Sequence, residues 1–180
     1  MSKGRSHIRL LLLTALFAGG LVRCDQMSAQ EINYKAYSLF VYNFMKYMEW
    51  PEDAVKEGFT VGVWGDSPIL KELQAVASTK KIKGRSITIK KLNSIEDAAY
   101  CQLVYISSAK SGTLKAMKEK LKGKPVLLVG EREGLAAKGA ALSFVTQDDD
   151  ALKFDINKAV IKDHNLKIAT ALLALGFIVG

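Results

Sequence analysis

The sequence predicts an α/β fold: a single three-layer sandwich, mostly parallel sheet, with an antiparallel hairpin near the C-terminus. Three observations predict it. "FTVGVWG" (59–65), "LVYIS" (103–107) and "PVLLVG" (125–130) are short, almost unbroken apolar runs, the pattern of strands buried on both faces. Helical patterns lie between them, so neighbouring strands are joined by crossovers. Near the end, "AALSFVT" and "LKFDIN" read as two strands linked by "QDDDA", with Leu152, Phe154 and Ile156 alternating against Lys153, Asp155 and Asn157.

Residues 1–29 precede this domain and read as a secretory signal peptide. Lys3, Arg5 and Arg9 form a basic start, and Leu10–Val22 carries no charge. That run is short for a membrane span. Cleavage after Ala29 fits "MSAQ", which leaves 30–180 as the mature domain in the periplasm. A lipid anchor at Cys24 is disfavoured by the neighbouring Arg23, and an uncleaved anchor is the third option.

The first mature helix is expected over 32–49. Ala36, Leu39, Phe40, Phe44, Tyr47 and Met48 recur at three- and four-residue spacing, and Pro51 stops the helix. A reasonable division turns Phe40, Phe44, Tyr47 and Met48 inward. It leaves Tyr34, Tyr37 and Met45 partly exposed as a candidate partner surface. Asn43 sits among aromatics and needs amide partners if buried. Lys46 and Glu49 are placed to pair weakly.

Further elements follow in order. Ser67 and Pro68 open a second helix as cap and first helical residue. "SITIKKL" (86–92) alternates as a half-buried strand, and "SIEDAA" is a short helical turn. "SGTLKAMKEKLKG" is amphipathic, with Leu114, Met117 and Leu121 inward and Gly123 at its end. "GLAAKG" is a brief crossover. Residues 158–178 are expected to form one long terminal helix, capped by Asn157 and too short in its apolar part to span a membrane.

Composition narrows the function. The chain has 180 residues, 49% apolar and 24% charged, an ordinary globular mixture. Its formal charge of +8 includes +3 from residues 1–29, which leaves +5 on the mature domain. That is no nucleic-acid footprint, and an exported protein rarely meets nucleic acid. The basic run "KKIKGRSITIKK" (80–91) reads as a solvated face or a patch for an acidic partner.

Catalytic raw material is scarce. The mature domain holds one cysteine, Cys101, beside an apolar run and expected as a buried hydrophobe, with a reactive or intermolecular role as the alternative. Its one histidine, His164, is expected to be solvated. No His/Cys cluster suggests a metal, and no motif suggests a cofactor. "DDD" (148–150) lacks the ligand spacing of a calcium loop and reads as a solvated turn. The turn "VGVWGDSP" leaves two options: a plain strand-to-helix turn, or an anion seat at Ser67 on the helix N-terminus. A non-catalytic regulatory or interaction protein is the first expectation, an anion-binding module the alternative, and a cryptic enzyme the third.

"KAYSLFVYNFMKYMEWP" resembles the opening signature of the YfiR family through Lys35, Ala36, Tyr42, Asn43, Phe44, Lys46, Tyr47, Glu49, Trp50 and Pro51. "FTVGVWGDSPI", "KPVLLVGE" and "LKFDIN", with Asp155 and Asn157, continue the resemblance to about Leu175. It implies a periplasmic regulator with an α/β sandwich fold and no catalytic activity. It further implies a homodimer that restrains a membrane signalling protein, such as a diguanylate cyclase, by binding its periplasmic part. An outer-membrane lipoprotein is the implied second partner. The family's paired cysteines are not matched, since only Cys101 remains in the mature domain.

Overall fold

A computed structural model describes residues 32–146 and 151–180. The leader, Cys24 and the acidic turn 148–150 lie outside the described residues.

Helix α1 (Tyr34–Tyr47) leads to strand β1 (Met48–Glu49), and β2 (Phe59–Trp64) to α2 (Ile69–Thr79). Strands β3 (Ile87–Leu92) and β4 (Leu103–Ile106) precede α3 (Leu114–Lys120) and β5 (Leu127–Gly130). The hairpin β6 (Leu142–Thr146) and β7 (Leu152–Ile156) follows. The chain ends with α4 (Lys158–Asp163), β8 (Lys167–Ile168), α5 (Thr170–Leu173) and β9 (Phe177–Ile178).

Seven strands form one sheet in the order β3-β2-β4-β5-β6-β7-β9. The first five run parallel, β6 and β7 are antiparallel, and β9 runs parallel to β7. Alternation along the strands then assigns the faces. Val104, Ile106, Val126 and Leu128 pack on Leu114, Met117 and Leu121 of α3 and its flanks. Tyr105 turns the other way, toward Phe144, on which Tyr37 of α1 stacks at 4.0 Å between ring centroids. Helices therefore cover both faces, and the predicted α/β sandwich with its C-terminal hairpin is the fold observed.

Several local expectations need correction. α1 buries Tyr37, 6% exposed, and Met45, 1% exposed, both expected outside. Asn33 caps the helix by accepting from the Ala36 N–H at 3.0 Å, and the helix buries Tyr37, Ser38, Val41, Phe44 and Met45, with Tyr37 and Phe44 against the rings of Phe144 and Phe154 in β6 and β7. The mutually packed rings of Phe40, Phe44, Phe144 and Phe154 draw in one broad stripe. Phe40 and Tyr47 are consequently half-buried, Asn43 is exposed, and Leu39 is 42% exposed. Lys46 does not reach across to Glu49; its ammonium lies over the Tyr47 ring, 5.1 Å from the centroid.

The single terminal helix over 158–178 is not formed. Asn157 does cap α4, accepting from the Val160 N–H at 3.0 Å. Asn165 then adopts φ +54°, a left-handed conformation that ends the helix, and its amide donates to the Gly123 carbonyl at 3.1 Å. Lys167 and Ile168 pair with Glu49 and Met48. At Gly176 the backbone approaches β7 so closely that a Cβ would lie 2.7 Å from the Phe154 carbonyl oxygen. Tertiary partners thus divide an apolar run that local propensity favours as helix.

His164, expected in solvent, is 2% exposed. It stands at the C-cap of α4 and folds over the loop after α3, with Nδ1 3.0 Å from the Lys124 carbonyl oxygen.

Candidate functional site

The strand order places one crevice above the others in chemical interest. From β2 the chain crosses one way to β3, while β4 continues the other way to β5, so the connections leaving the paired carboxyl ends of β2 and β4 diverge. In open α/β sheets such a switch point is where ligands bind. Here it is formed by Gly65–Ser67 after β2, Ser107–Ser108 after β4 and Glu131 after β5.

Glu131 is the centre of this site. It is 5% exposed, the one buried acidic residue among the described residues. Its Oε1 accepts from the Ser67 hydroxyl at 3.3 Å, and its Oε2 accepts from the Ser108 N–H. Ser67 Oγ in turn accepts weakly from the Ile69 N–H at 3.4 Å, at the start of α2. The seat expected for an anion at Ser67 is therefore held by a carboxylate of the chain itself. No lysine or arginine among the described residues pairs with Glu131. Lys110, the nearby cation, lies over the Trp64 ring, 5.1 Å from its centroid.

Gly65 permits this arrangement. Its φ is +92°, and a Cβ there would lie 2.2 Å from Ser107 Oγ, so only glycine lets the turn close over the serine. Ser107 Oγ and the Tyr105 hydroxyl are fully buried. Ser107 Oγ has no hydrogen-bond partner, and the Tyr105 hydroxyl has only the Glu131 carboxylate beside it.

Tyrosines surround the carboxylate. Burial pushes the Tyr105 phenol far up from its ordinary range, and the Glu131 charge adds to the shift. Tyr34, half-buried at the start of α1, is raised by burial and by Glu131 beside it. Tyr37 is raised by burial, with smaller contributions from Glu131 and Glu133. Asp155 is raised by partial burial and then by Glu133. The crevice is thus acidic.

The other singled-out residues lie elsewhere and hold the fold. Trp50 Nε1–H donates to the Gln102 carbonyl at 3.2 Å while its ring meets Phe59 edge-on. Pro51 opens the turn Glu52–Val55, and Glu49 lies in β1. The Tyr42 hydroxyl donates to the Lys81 carbonyl at 3.4 Å. Asn157 adds a bond from its amide to the Ala136 carbonyl at 2.9 Å. Phe44 and Met45 are core. Two further grooves, about 310 and 420 Å³, flank Tyr100 on the uncovered part of the sheet. Lys56 and Lys90 face Asp53, Glu57 and Asp97 there, a mixed and solvated lining.

Glu131 was missed in the sequence. Its signal is a charged residue directly after the apolar run "VLLVG", which puts it at the carboxyl end of a parallel strand. Among the described residues no cluster of three potential metal ligands forms, and no helix is long and apolar enough to cross a membrane.

The family model described as YfiR/HmsC-like (DUF4154) matches residues 34–176. No curated protein matches the chain. Among solved structures, a Streptococcus pneumonia "ABC domain in complex with L-Trp" is similar at TM-score 0.52 and 13% identity, covering 77% of this chain and 58% of that one. A conserved domain protein of Vibrio cholerae O1 biovar El Tor is similar at TM-score 0.53 and 11% identity, covering 82% and 60%. The chain thus spans about three fifths of the length of these structures. At such identity the likeness shows the fold alone.

Proposed function

The chain belongs to the YfiR/HmsC-like family, and we propose on that premise that it is a non-catalytic periplasmic regulator of a membrane signalling protein. The family implies a periplasmic regulatory role. The observation that carries the finer reading is the extent of the match, which runs from the first residue of α1 to Gly176. In this reading residues 1–29 direct export and are removed. The mature domain forms a homodimer and binds the periplasmic part of a sensor or diguanylate cyclase, holding its output down. An outer-membrane lipoprotein withdraws it from that partner. Of the surface expected at Tyr34, Tyr37 and Met45, only the half-buried Tyr34 remains in this reading, and Leu39, 42% exposed, joins it.

Affinity capture with the tagged, exported chain from solubilised membranes tests this reading. Enrichment of a membrane sensor or cyclase is expected, together with raised cyclic-di-GMP on deletion. Recovery of neither, with unchanged cyclic-di-GMP, would sink it. The alternative, an anion-binding module at Ser67, predicts thermal stabilisation by phosphate or a carboxylate. The Glu131 carboxylate at that position speaks against an anion there.

A further inference from the structure

The seven-stranded sheet has two open edges among the described residues, β3 at one end and β9 at the other. An open edge carries unpaired N–H and carbonyl groups, and folded proteins guard it with lysine, proline or a bulge. β3 is guarded in this way: Lys90 and Lys91 are exposed along it, and Lys80, Lys81 and Lys83 lie just before it. β9 has no such guard. Residues 168–180, "IATALLALGFIVG", carry no charge, in a mature domain whose formal charge is +5. Leu175, Phe177 and Ile178 are three of the five large hydrophobic side chains left exposed among the described residues, and they fall within four positions. Such a concentration of apolar surface marks an interaction site.

Backbone direction fixes how this edge can be used. β9 runs parallel to β7, and the Val179 N–H donates inward to the Ile156 carbonyl at 2.9 Å. Backbone groups alternate in direction along a strand, so the N–H and carbonyl of Ile178 face the open side. We propose that β9 pairs antiparallel with β9 of a second copy of this chain, about a two-fold axis at Ile178, and joins the two sheets into one. Each Ile178 N–H then donates to the Ile178 carbonyl across the axis, and Leu175 and Phe177 are covered beside it. A two-fold matches the edge to itself, so one surface serves both copies. Charge favours this occupant. Two domains of +5 repel each other, and least where they meet through a stretch with no charged side chain. An acidic segment of another protein would find its counter-charge on β3, at the opposite edge. The proposal deepens the homodimer contained in the proposed function by assigning its surface.

Sedimentation velocity and non-reducing electrophoresis of the purified exported chain test this without any membrane protein, so its failure is distinct from a failure of the regulatory reading, which is read from cyclic-di-GMP. The chain is expected to sediment as a dimer at micromolar concentration. I178K, which copies the guard on β3, is expected to sediment as a monomer with its circular dichroism retained. I178C is the second arm, and the position tolerates it because Ile178 is 59% exposed. Across a hydrogen-bonded antiparallel pair the Cα atoms lie about 5.5 Å apart, within the span of a disulfide. Mild oxidation is expected to convert most of I178C to a covalent dimer. The wild-type chain, whose Cys101 is buried, and T88C, at an exposed position on β3, should not cross-link. A monomeric wild-type chain overturns the proposal. So does a dimer that folded I178K leaves intact, or an I178C that cross-links no more than T88C, whether or not I178K folds.

Discussion

Met48 lies opposite Ile168 in a two-residue antiparallel ladder, and the Ala169 N–H donates to the Tyr47 carbonyl at 3.0 Å just beyond it. The end of α1 is thereby joined to the last segment of the chain. Ala169 has φ −68°, a value proline also adopts. Ala169→Pro therefore keeps the φ but removes the donor and drives the ring Cδ against the Tyr47 carbonyl oxygen. A loss of about 3 kcal/mol is expected in urea unfolding. Hydrogen exchange should show α5 and β9 opening faster, while the protection of β4 and β5 is retained.

Phe44 is the ring on which the α1 face converges. It is fully buried and meets Phe154 at 5.0 Å and Phe144 at 5.8 Å between centroids. Phe44→Ala is expected to cost about 3–5 kcal/mol by denaturant unfolding. A variant that melts normally but no longer dimerises would place Phe44 at an interface instead.

Asn157 bonds in two directions, to the Val160 N–H and the Ala136 carbonyl. Asn157→Ala removes a helix cap and leaves a buried carbonyl without its donor. About 2–3 kcal/mol should be lost. Asn157→Asp keeps the cap acceptor but loses the amide donor, and should fall short of wild type for that reason alone.

Stability should fall on mild acidification through His164. Burial holds its pKa below the ordinary 6.5, with Lys118 acting the same way and the Lys124 carbonyl and Asp163 opposing. The unfolded chain therefore takes up the proton first. The stabilisation is complete above the unfolded value and is lost as pH falls from about 6.5 toward the depressed folded value. Melting curves from pH 7.5 to 5.5 check this, and His164→Gln should flatten the slope in that window.

The Cys101 thiol is buried and pushed up to about 11, chiefly by desolvation. Thiolate is the reactive form. A thiol reagent at pH 8 should label Cys101 slowly in the folded chain and rapidly in denaturant. Equal rates would place the thiol at the surface.

The parts of this fold that were legible are those whose signal is local. β4 and β5 are read from unbroken apolar runs, and α3 from Leu114, Met117 and Leu121 with Gly123 behind them. Asn157 is read as a cap because capping needs only its own turn. The misreadings share the opposite cause. "IATALLALGFIV" is apolar enough for a helix, and only pairing with β1, far away in sequence, and with β7 breaks it into β8, α5 and β9. Tyr37 and Met45 were assigned outside because a ring-rich helix offers more than one apolar stripe. Phe144 and Phe154, over a hundred residues on, select among them. The Glu131 site joins three strand ends distant in the chain, and no spacing rule connects them.

Under the proposed function the exported chain restrains a membrane signalling protein. Intracellular cyclic-di-GMP, measured in a deletion strain complemented either with the full chain or with residues 30–180 lacking the leader, tests it most directly. The level is expected to rise on deletion and to be restored by the full chain and not by the leaderless one. An unchanged level on deletion, or equal rescue by the leaderless chain, would contradict it.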